Sequence, residues 1–539
     1  VKQLPWWAVL AGVVTAGAGL AVAELVAAVM AQGSSPLFAA GAAVIDGVPG
    51  WLKDLAIAWF GTADKAVLLG TMGVVLAAGA ALAGVLELRR PPLGAGLVVV
   101  VGLVAAVVAA LRPGATVLWA VPSLLGAAVA AALLRAASAR LRDWVGEAPS
   151  GTSGTTPDPR PGAPARPGAA LDRRRFLMVT GLSAAAAVVA LGASRAVSIA
   201  ARTVDAVRGT LRLPVPATSA PPVPVTADLA SAATSGAVDL EPAALDGLAP
   251  YVTPNAEFYR IDTALRVPQV DPAEWSLTVT GLVDAPFTLT WDELLALPLE
   301  EHHVTLACVS NEVGGNLIGN ALWLGYPVRE LLARARPQAG ADMVLSRSVD
   351  GFTAGTPIGT LTDPDRASLL AVGMNGEPLP VDHGFPARLV VPGLFGYVSA
   401  TKWVTELRVT RFAVDQGYWT PRGWSALGPV KLQSRIDVPR PGGVARDGVV
   451  AGVAWAQHIG ISAVEVRVDD GPWRPAELAA TVGPDTWRQW WVALDDVGAG
   501  DHVVQVRAID PDGRVQTAHE APPAPDGASG HHTVTITIA

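Results

Sequence analysis

Four stretches, at about 5–31, 66–88, 94–111 and 114–134, are built almost wholly of Ala, Val, Leu and Gly, and nothing else constrains the fold of this chain as strongly. Crossing a bilayer as a helix takes roughly 20 apolar residues, and in hydrocarbon every backbone donor and acceptor must be paired within the segment. A fifth run begins at Phe176 and continues to about Ile199, while 37–60 is interrupted by Asp46, Pro49, Lys53 and Asp54. Hydrophobic residues make up 51% of the 539 and charged residues only 16%. That balance is too apolar for a chain wholly in water.

The basic residues orient the spans, because cytoplasmic flanks collect Lys and Arg. Lys2, Arg89 with Arg90, Arg135 with Arg140 and Arg142, and Arg173 to Arg175 fall on one side if the chain has five spans and 37–60 stays outside. The N-terminus is then inside and the large C-terminal part outside. The segment 146–175 begins as a Gly/Pro-rich cytoplasmic linker and ends in DRRRFL (172–177), which resembles a twin-arginine export signal placed internally. Such a route carries folded proteins, which suits a cofactor inserted before export. The first histidines are His302 and His303, so a haem held by two histidines within the membrane is excluded. Charges within the spans are nearly absent apart from Glu24, which disfavours a transport path. The bundle reads as an anchor or docking surface. A formal net charge of −8 argues against nucleic acid as a partner.

A second Pro- and Ala-rich stretch, 201–247, reads as another linker. Beyond it SLTVTGLVDAP (276–286) alternates like a strand, WDELLAL (291–297) and VRELLARA (328–335) have the look of short helices, and ARLVVPG (387–393) and TELRVTRF (405–412) read as strands. The mixture predicts an α+β domain over 248–425. From 426 to 539 regularly spaced strands with Asp-Gly turns at 470–471 and 512–513 predict an all-β immunoglobulin-like sandwich. Trp455, Trp473, Trp487, Trp490 and Trp491 are expected in core and interface rather than in a carbohydrate platform. The expected organisation is thus an N-terminal α-helical transmembrane bundle (1–145), the linker 146–175, a fifth transmembrane helix (176–200), the linker 201–247 and these two soluble domains.

Cys308 is the single cysteine, so it has no partner within the chain for a disulfide. Its context lifts it above an ordinary buried thiol. TPNAEFYRIDT (253–263), VTLACVSNEVGGNLIGNALWLGYPVRELL (304–332) and MNGEPLPVDHGFPARLVVPGLFGYVSATKWV (374–404), in this order and ahead of a β-sandwich, resemble the sulfite oxidase family of molybdopterin enzymes over about 248–539. The resemblance implies a molybdenum-molybdopterin cofactor (Moco), with Cys308 as the metal's protein ligand. A soft thiolate suits such a metal. The resemblance also places Asn255, Phe258, Tyr259, His383, Arg388, Thr401 and Lys402 against the pterin and its phosphate, and makes Arg260 a catalytic-site arginine that holds an anionic substrate. Arg suits phosphate through its planar fork. The sandwich resembles the family's C-terminal dimerisation domain, which implies a homodimer.

Departures from the family pattern bear on the substrate. Sulfite oxidases tend to have an arginine after Cys-x-x-Asn and an Arg-Asn-His run near the first motif; this chain has Asn311–Glu312 and Arg260–Ile261–Asp262. Less positive charge weakens binding of a dianion such as sulfite. The resemblance therefore implies a multi-pass, membrane-anchored oxidoreductase working outside the cytoplasm by oxygen-atom transfer, on a small molecule such as sulfite or a sulfoxide, with a separate electron-transfer partner. The competing readings are a cofactor-free, membrane-tethered binding or sensing module of the same fold, and a transporter.

Overall fold

Alanine and leucine are strong helix formers, and the apolar N-terminal runs adopt helices at Leu4–Met30, Asp64–Arg89, Leu93–Ala110 and Val121–Gly146. The computed structural model describes residues 4–30, 34–48, 64–112, 115–146, 203–264 and 267–539, with isolated positions at 59 and between 174 and 188. Apart from Gly146 and those isolated positions, the fifth apolar run, the linker 146–175 and the twin-arginine-like motif lie outside the described residues. Among those that are described, four segments are long and apolar enough to cross a membrane: Trp6–Met30, Val67–Arg89, Leu93–Ala110 and Val117–Asp143. The chain divides into two units, Val1–Thr203 and Val204–Ala539.

In the first unit, small residues set how closely the helices pack. A Cβ on Gly12 would stand 2.1 Å from the carbonyl oxygen of Ala80, and one on Gly19 2.4 Å from that of Gly126. Close backbone approach through small residues is the usual device where no hydrophobic drive separates protein from lipid. The last helix runs past 134 to Gly146, so the flanking Arg135, Arg140 and Arg142 are themselves helical. No Pro or Gly intervenes between 127 and 145 to stop it. Glu24, half-buried, is not the single carboxylate within the apolar runs. Glu87 is 1% exposed and accepts the backbone N–H of Ala95 at 2.9 Å, satisfying a free donor in the first turn of the next helix. Glu24 accepts from the Ser35 hydroxyl at 2.6 Å, and Ser35 caps the helix Pro36–Gly47.

The second unit begins with the stretch read above as a linker, and that reading fails for its described part. Ala217 N–H donates to Leu299, Glu301 N–H donates to Thr218, and Arg208 reaches the carbonyls of Pro378 and Leu379. Asp228 caps the helix Leu229–Thr234, and Leu229 is 1% exposed. Pro- and Ala-rich composition gives no sign of such pairing, because the partners are backbone groups distant in sequence.

Ten strands follow: β1 (Ser276–Gly281), β2 (Phe287–Thr290), β3 (Glu300–Ala307), β4 (Ile318–Pro327) and β5 (Met343–Ser348). The remainder are β6 (Thr353–Pro357), β7 (Leu369–Met374), β8 (Glu377–Pro378), β9 (Arg388–Val390) and β10 (Val404–Thr410). They form two sheets, β2-β1-β10-β5-β6 and β3-β4-β7-β8, with β9 added to β7. The predicted helices are Trp291–Leu295, closed by a Thr290–Glu293 capping box, and Val328–Ala335.

The C-terminal part is β-rich. Its strands are β11 (Gln433–Val438), β12 (Val444–Ala445), β13 (Val449–Trp455), β14 (Ala463–Val468) and β15 (Arg474–Pro475). After these come β16 (Glu477–Leu478), β17 (Arg488–Ala493), β18 (Gly500–Ile509) and β19 (His532–Ile538). Two sheets, β11-β13-β17-β16 and β12-β19-β18-β14-β15, bury one apolar cluster that includes Val450, Val466, Trp490, Val506 and Ile536. Trp455 and Trp487 instead join Leu277, Trp291 and Leu294 in the cluster of the preceding sheets. No linker separates the two parts at 425–426: Phe395 N–H donates to Gly428, and Val430 N–H donates to Gly393. Trp473 lies outside both cores, over the guanidinium groups of Arg467 and Arg507.

Candidate functional site

Cys308 is the first residue after β3, at the mouth of the loop that returns the chain to β4. The loop closes on itself. Cys308 N–H donates to Leu317 at 2.9 Å, Asn311 N–H to Cys308 at 3.1 Å, and Leu317 N–H to the Asn311 side-chain oxygen at 2.8 Å. The asparagine of the Cys-x-x-Asn motif is thus a structural brace, 5% exposed. Cys308 is half-buried. Burial pushes its thiol pKa up, while the backbone and side chain of Ser310 and the backbone of Val309 oppose that by hydrogen bonding. Donors aimed at the sulfur favour the thiolate once a cation is present.

Phe258 and Tyr259 stack at 5.2 Å beside this loop, and Phe258 also meets Trp323 and His383 edge-on at 5.8 and 5.6 Å. Phe258 lies where a side chain on Gly319 would have to go, since a Cβ there would stand 2.8 Å from its ring. Burial raises the Tyr259 phenol far above its ordinary value, with Cys308 adding to the rise and Arg388 opposing it. Tyr259, Cys308 and Arg388 are therefore electrostatic neighbours, and the phenol keeps its proton.

Arg388 opens β9, is 5% exposed, and lies over the Trp323 ring at 5.0 Å. Its guanidinium donates to the carbonyls of His383 and Leu389 at 3.0 and 3.3 Å. Burial brings its pKa down to about 10, so it remains a cation at neutral pH. His383 is pushed down to about 4 by burial and then by Arg388. It is neutral, and its Nε2–H donates to the carbonyl of Asn255 at 3.1 Å, since that oxygen can only accept. The Asn255 side chain is held by Asn375 at 2.8 Å.

Lys402 donates to Asp262 at 2.8 Å and to the Asp382 carbonyl at 3.0 Å. Burial lowers it to about 8, against the pull of Asp262. Arg260 pairs with the same Asp262 at 3.2 Å. One carboxylate thus serves two of the cations. Thr401 is fully buried with its hydroxyl on Ser346 at 2.7 Å, so its place is in the scaffold behind the site.

Ring contacts, hydrogen bonds and charge link Asn255, Phe258, Tyr259, Cys308, His383 and Arg388 into one cluster, with Lys402 and Arg260 joined to each other through Asp262. Three contributors were given no role in the sequence reading, Ser310, Trp323 and Asn375, and Asp262 entered it only as a departure from the family pattern. Asn375 alone had a local signal, as the first residue of an Asn-Gly turn in the left-handed region at φ +52°. Among the described residues no three His, Cys, Asp or Glu side chains converge as a metal site. A metal held by one protein thiolate needs no such set, provided the cofactor brings its other ligands. A buried arginine and lysine next to a single thiol fit an anionic cofactor of that kind.

Comparison with known proteins agrees with this geometry. Residues 264–419 match the oxidoreductase molybdopterin binding domain. The chain is similar to mitochondrial sulfite oxidase of Mus musculus, 32% identical over 272 residues covering 42% of this chain and 49% of the relative. The Homo sapiens enzyme is 30% identical over 322 residues, 50% and 58% of the two chains. An NADH nitrate reductase of Brassica napus is 34% identical over 178 residues, 28% and 19% of the two chains. The chain spans about half the length of the sulfite oxidases it matches. Among solved structures, the sulfane dehydrogenase SoxCD of Paracoccus pantotrophus aligns with 55% of this chain and 85% of its own at 23% identity and a TM-score of 0.47. Residues 264–419 thus form a molybdopterin-binding domain similar to that of the sulfite oxidases.

Proposed function

We propose that this protein is a membrane-anchored molybdenum oxidoreductase that moves an oxygen atom to or from a small molecule outside the cytoplasm, with a separate partner exchanging its electrons. The observation that carries the reading is the single thiol of Cys308 on its closed loop after β3, with Tyr259 and the buried cation Arg388, seated over Trp323, as its electrostatic neighbours. Cys308 would hold the metal, while Arg388, Lys402 and the amides around Asn255 would hold the pterin and its phosphate. The bound cofactor supplies two-electron oxygen-atom chemistry; the protein supplies position, charge and exclusion of water. Neutral His383 ties the Asn255 segment to the Arg388 loop, so both walls keep their spacing. Tyr259, protonated and beside Cys308, is placed to donate a hydrogen bond to an oxygen of the substrate. Asp262 offsets Arg260 and Lys402, which favours a substrate of low negative charge, such as a sulfoxide, over a dianion.

Membrane anchoring rests on the four long apolar helices and on their outward residues, among them Val74, Val100 and Val104, each more than half exposed. The extracytoplasmic orientation rests on the one-sided basic flanks and on the twin-arginine-like DRRRFL. The two-sheet C-terminal part is taken as immunoglobulin-like and as the face of a homodimer.

The test is molybdenum by elemental mass spectrometry on wild type and Cys308→Ser purified from a host that makes the cofactor. About one metal per chain is expected in wild type and under a tenth of that in the variant. Full loading of the variant would overturn the assignment of Cys308. Folded wild type without metal would favour the cofactor-free module instead.

A further inference from the structure

The loop that presents Cys308 closes on itself, but it also rests on the C-terminal sheets. Arg435 in β11 donates from Nη1 to the carbonyl of Gly315 at 2.8 Å. The rest of its guanidinium is held by both oxygens of Asp437, and the two side chains are 9% and 7% exposed. Next along the same strand, Ile436 N–H donates to Nδ1 of His532 at 3.0 Å. The His532 ring lies directly against the loop: a Cβ on Gly314 would stand 2.2 Å from its Nε2. Gly314 has φ +78°, so this position needs glycine both for its backbone and for the ring beside it.

The other approaches to the site are tied to the same part of the chain. Thr305 in β3 donates its N–H to Asp485 at 2.9 Å and accepts from Trp487 N–H at 2.8 Å. The segment leading to Asn255 and Tyr259 is held by Asp437, which accepts Ala249 N–H at 3.1 Å, and by Trp487, whose Nε1–H donates to Tyr251 at 2.9 Å. Each of these bonds joins the molybdopterin-type domain to the C-terminal sheets.

We infer that the C-terminal sheets act as the brace that fixes the Cys308 loop, with His532 and Arg435 as positioning residues for the thiol. The loop is ten residues of irregular chain between β3 and β4, and its own hydrogen bonds close its base, its first turn and the turn from Glu312 to Gly315. Beyond those, the carbonyl of Gly315 is held by Arg435 in β11, and Gly314 lies against His532 in β19. An unbraced loop would present the sulfur over a range of positions, whereas a metal site needs it held to a fraction of an ångström.

Because Cys308 is the only cysteine, its alkylation by iodoacetamide reports on this loop alone. The measurement uses the full chain in detergent, prepared without cofactor. His532→Ala removes the acceptor for Ile436 and the wall beside Gly314, and should raise the alkylation rate at least fivefold. His532→Asn returns an acceptor near the Nδ1 position and should stay within twofold of wild type. His502→Ala, at the start of β18 where the ring bonds Asp469 and Gly498 rather than the Cys308 loop, is the control for general loosening of the sheets and should leave the rate unchanged. A wild-type rate in His532→Ala, or an equal rise in His502→Ala, would overturn the inference. Arg435→Ala would leave Asp437 buried without a counter-ion and risks unfolding, so His532 is the position to substitute. The meaning for catalysis rests on Cys308 as metal ligand, but the alkylation result does not. If wild type binds no molybdenum and the alkylation pattern still holds, the functional reading fails while the brace stands.

Discussion

At the scale of single residues, the site is a set of polar groups whose charges are fixed by burial. His383 is the clearest case, neutral in the fold and donating from Nε2 to Asn255. Its folded pKa of about 4 lies below the ordinary 6.5, so the unfolded chain binds a proton that the folded one refuses. Its contribution to stability is complete above about pH 6.5 and is lost as pH falls from there toward 4. His383→Gln keeps a side-chain N–H donor for Asn255 and removes the titration. The stability of this variant, followed by denaturant unfolding, should fall less steeply across that window than wild type. Asp262 works in the opposite sense. It pairs with both Arg260 and Lys402, and on the proposed reading the Arg260–Ile261–Asp262 departure seen in the sequence would lower the positive charge available to a substrate.

At the scale of elements, the β3–β4 hairpin and β9 carry the thiol and the buried arginine, and their regular pairing sets the distance between them. Val304 to Ala307 pair in unbroken register with Ala321 to Ile318, so Cys308 leaves the sheet at a defined point. Trp323 on β4 is fully buried, donates to the Val304 carbonyl at 3.1 Å, and forms a platform under Arg388 and beside Phe258. Gly319 on the same strand leaves room for Phe258. Gly319→Ala should cost about 1–3 kcal/mol, the usual penalty for overpacking a filled core, and should displace Phe258 from Tyr259. A lowered thermal midpoint together with reduced molybdenum content would bear this out. An unchanged midpoint would mean the ring yields without strain.

At the scale of the molecule, residues 204–539 are one unit, although the sequence reads as two soluble domains and a linker. Val453, Trp455 and Trp487 from the C-terminal sheets share a core with Leu277, Trp291 and Leu294 from the preceding ones. A shared core couples unfolding, so residues 204–539 expressed alone should show a single calorimetric transition whose van't Hoff and calorimetric enthalpies agree. Two resolved transitions would mean that the interface between the sheets contributes little.

Much of this was legible without coordinates. Runs of Ala, Val and Leu near 20 residues can pair their backbone in lipid only as helices, so the N-terminal elements follow from composition and length. Alternation and Asp-Gly turns locate the C-terminal strands, because side chains on a strand face opposite sides in turn. The motif around Cys308 and the HGFPAR segment pointed to the thiol and to Arg388, both local signals. Local pattern is silent on what pairs across long separations. That His532, 224 positions beyond Cys308, lies against Gly314 is such a fact, as are the joint hold of Arg260 and Lys402 on Asp262 and the ordered course of 204–247. Sequence alone determined which residues could bind a metal and an anion. Tertiary packing decided which of them are buried and neutral, which cations are already paired, and what holds the thiol still, because burial and charge pairing depend on neighbours that only the folded chain supplies.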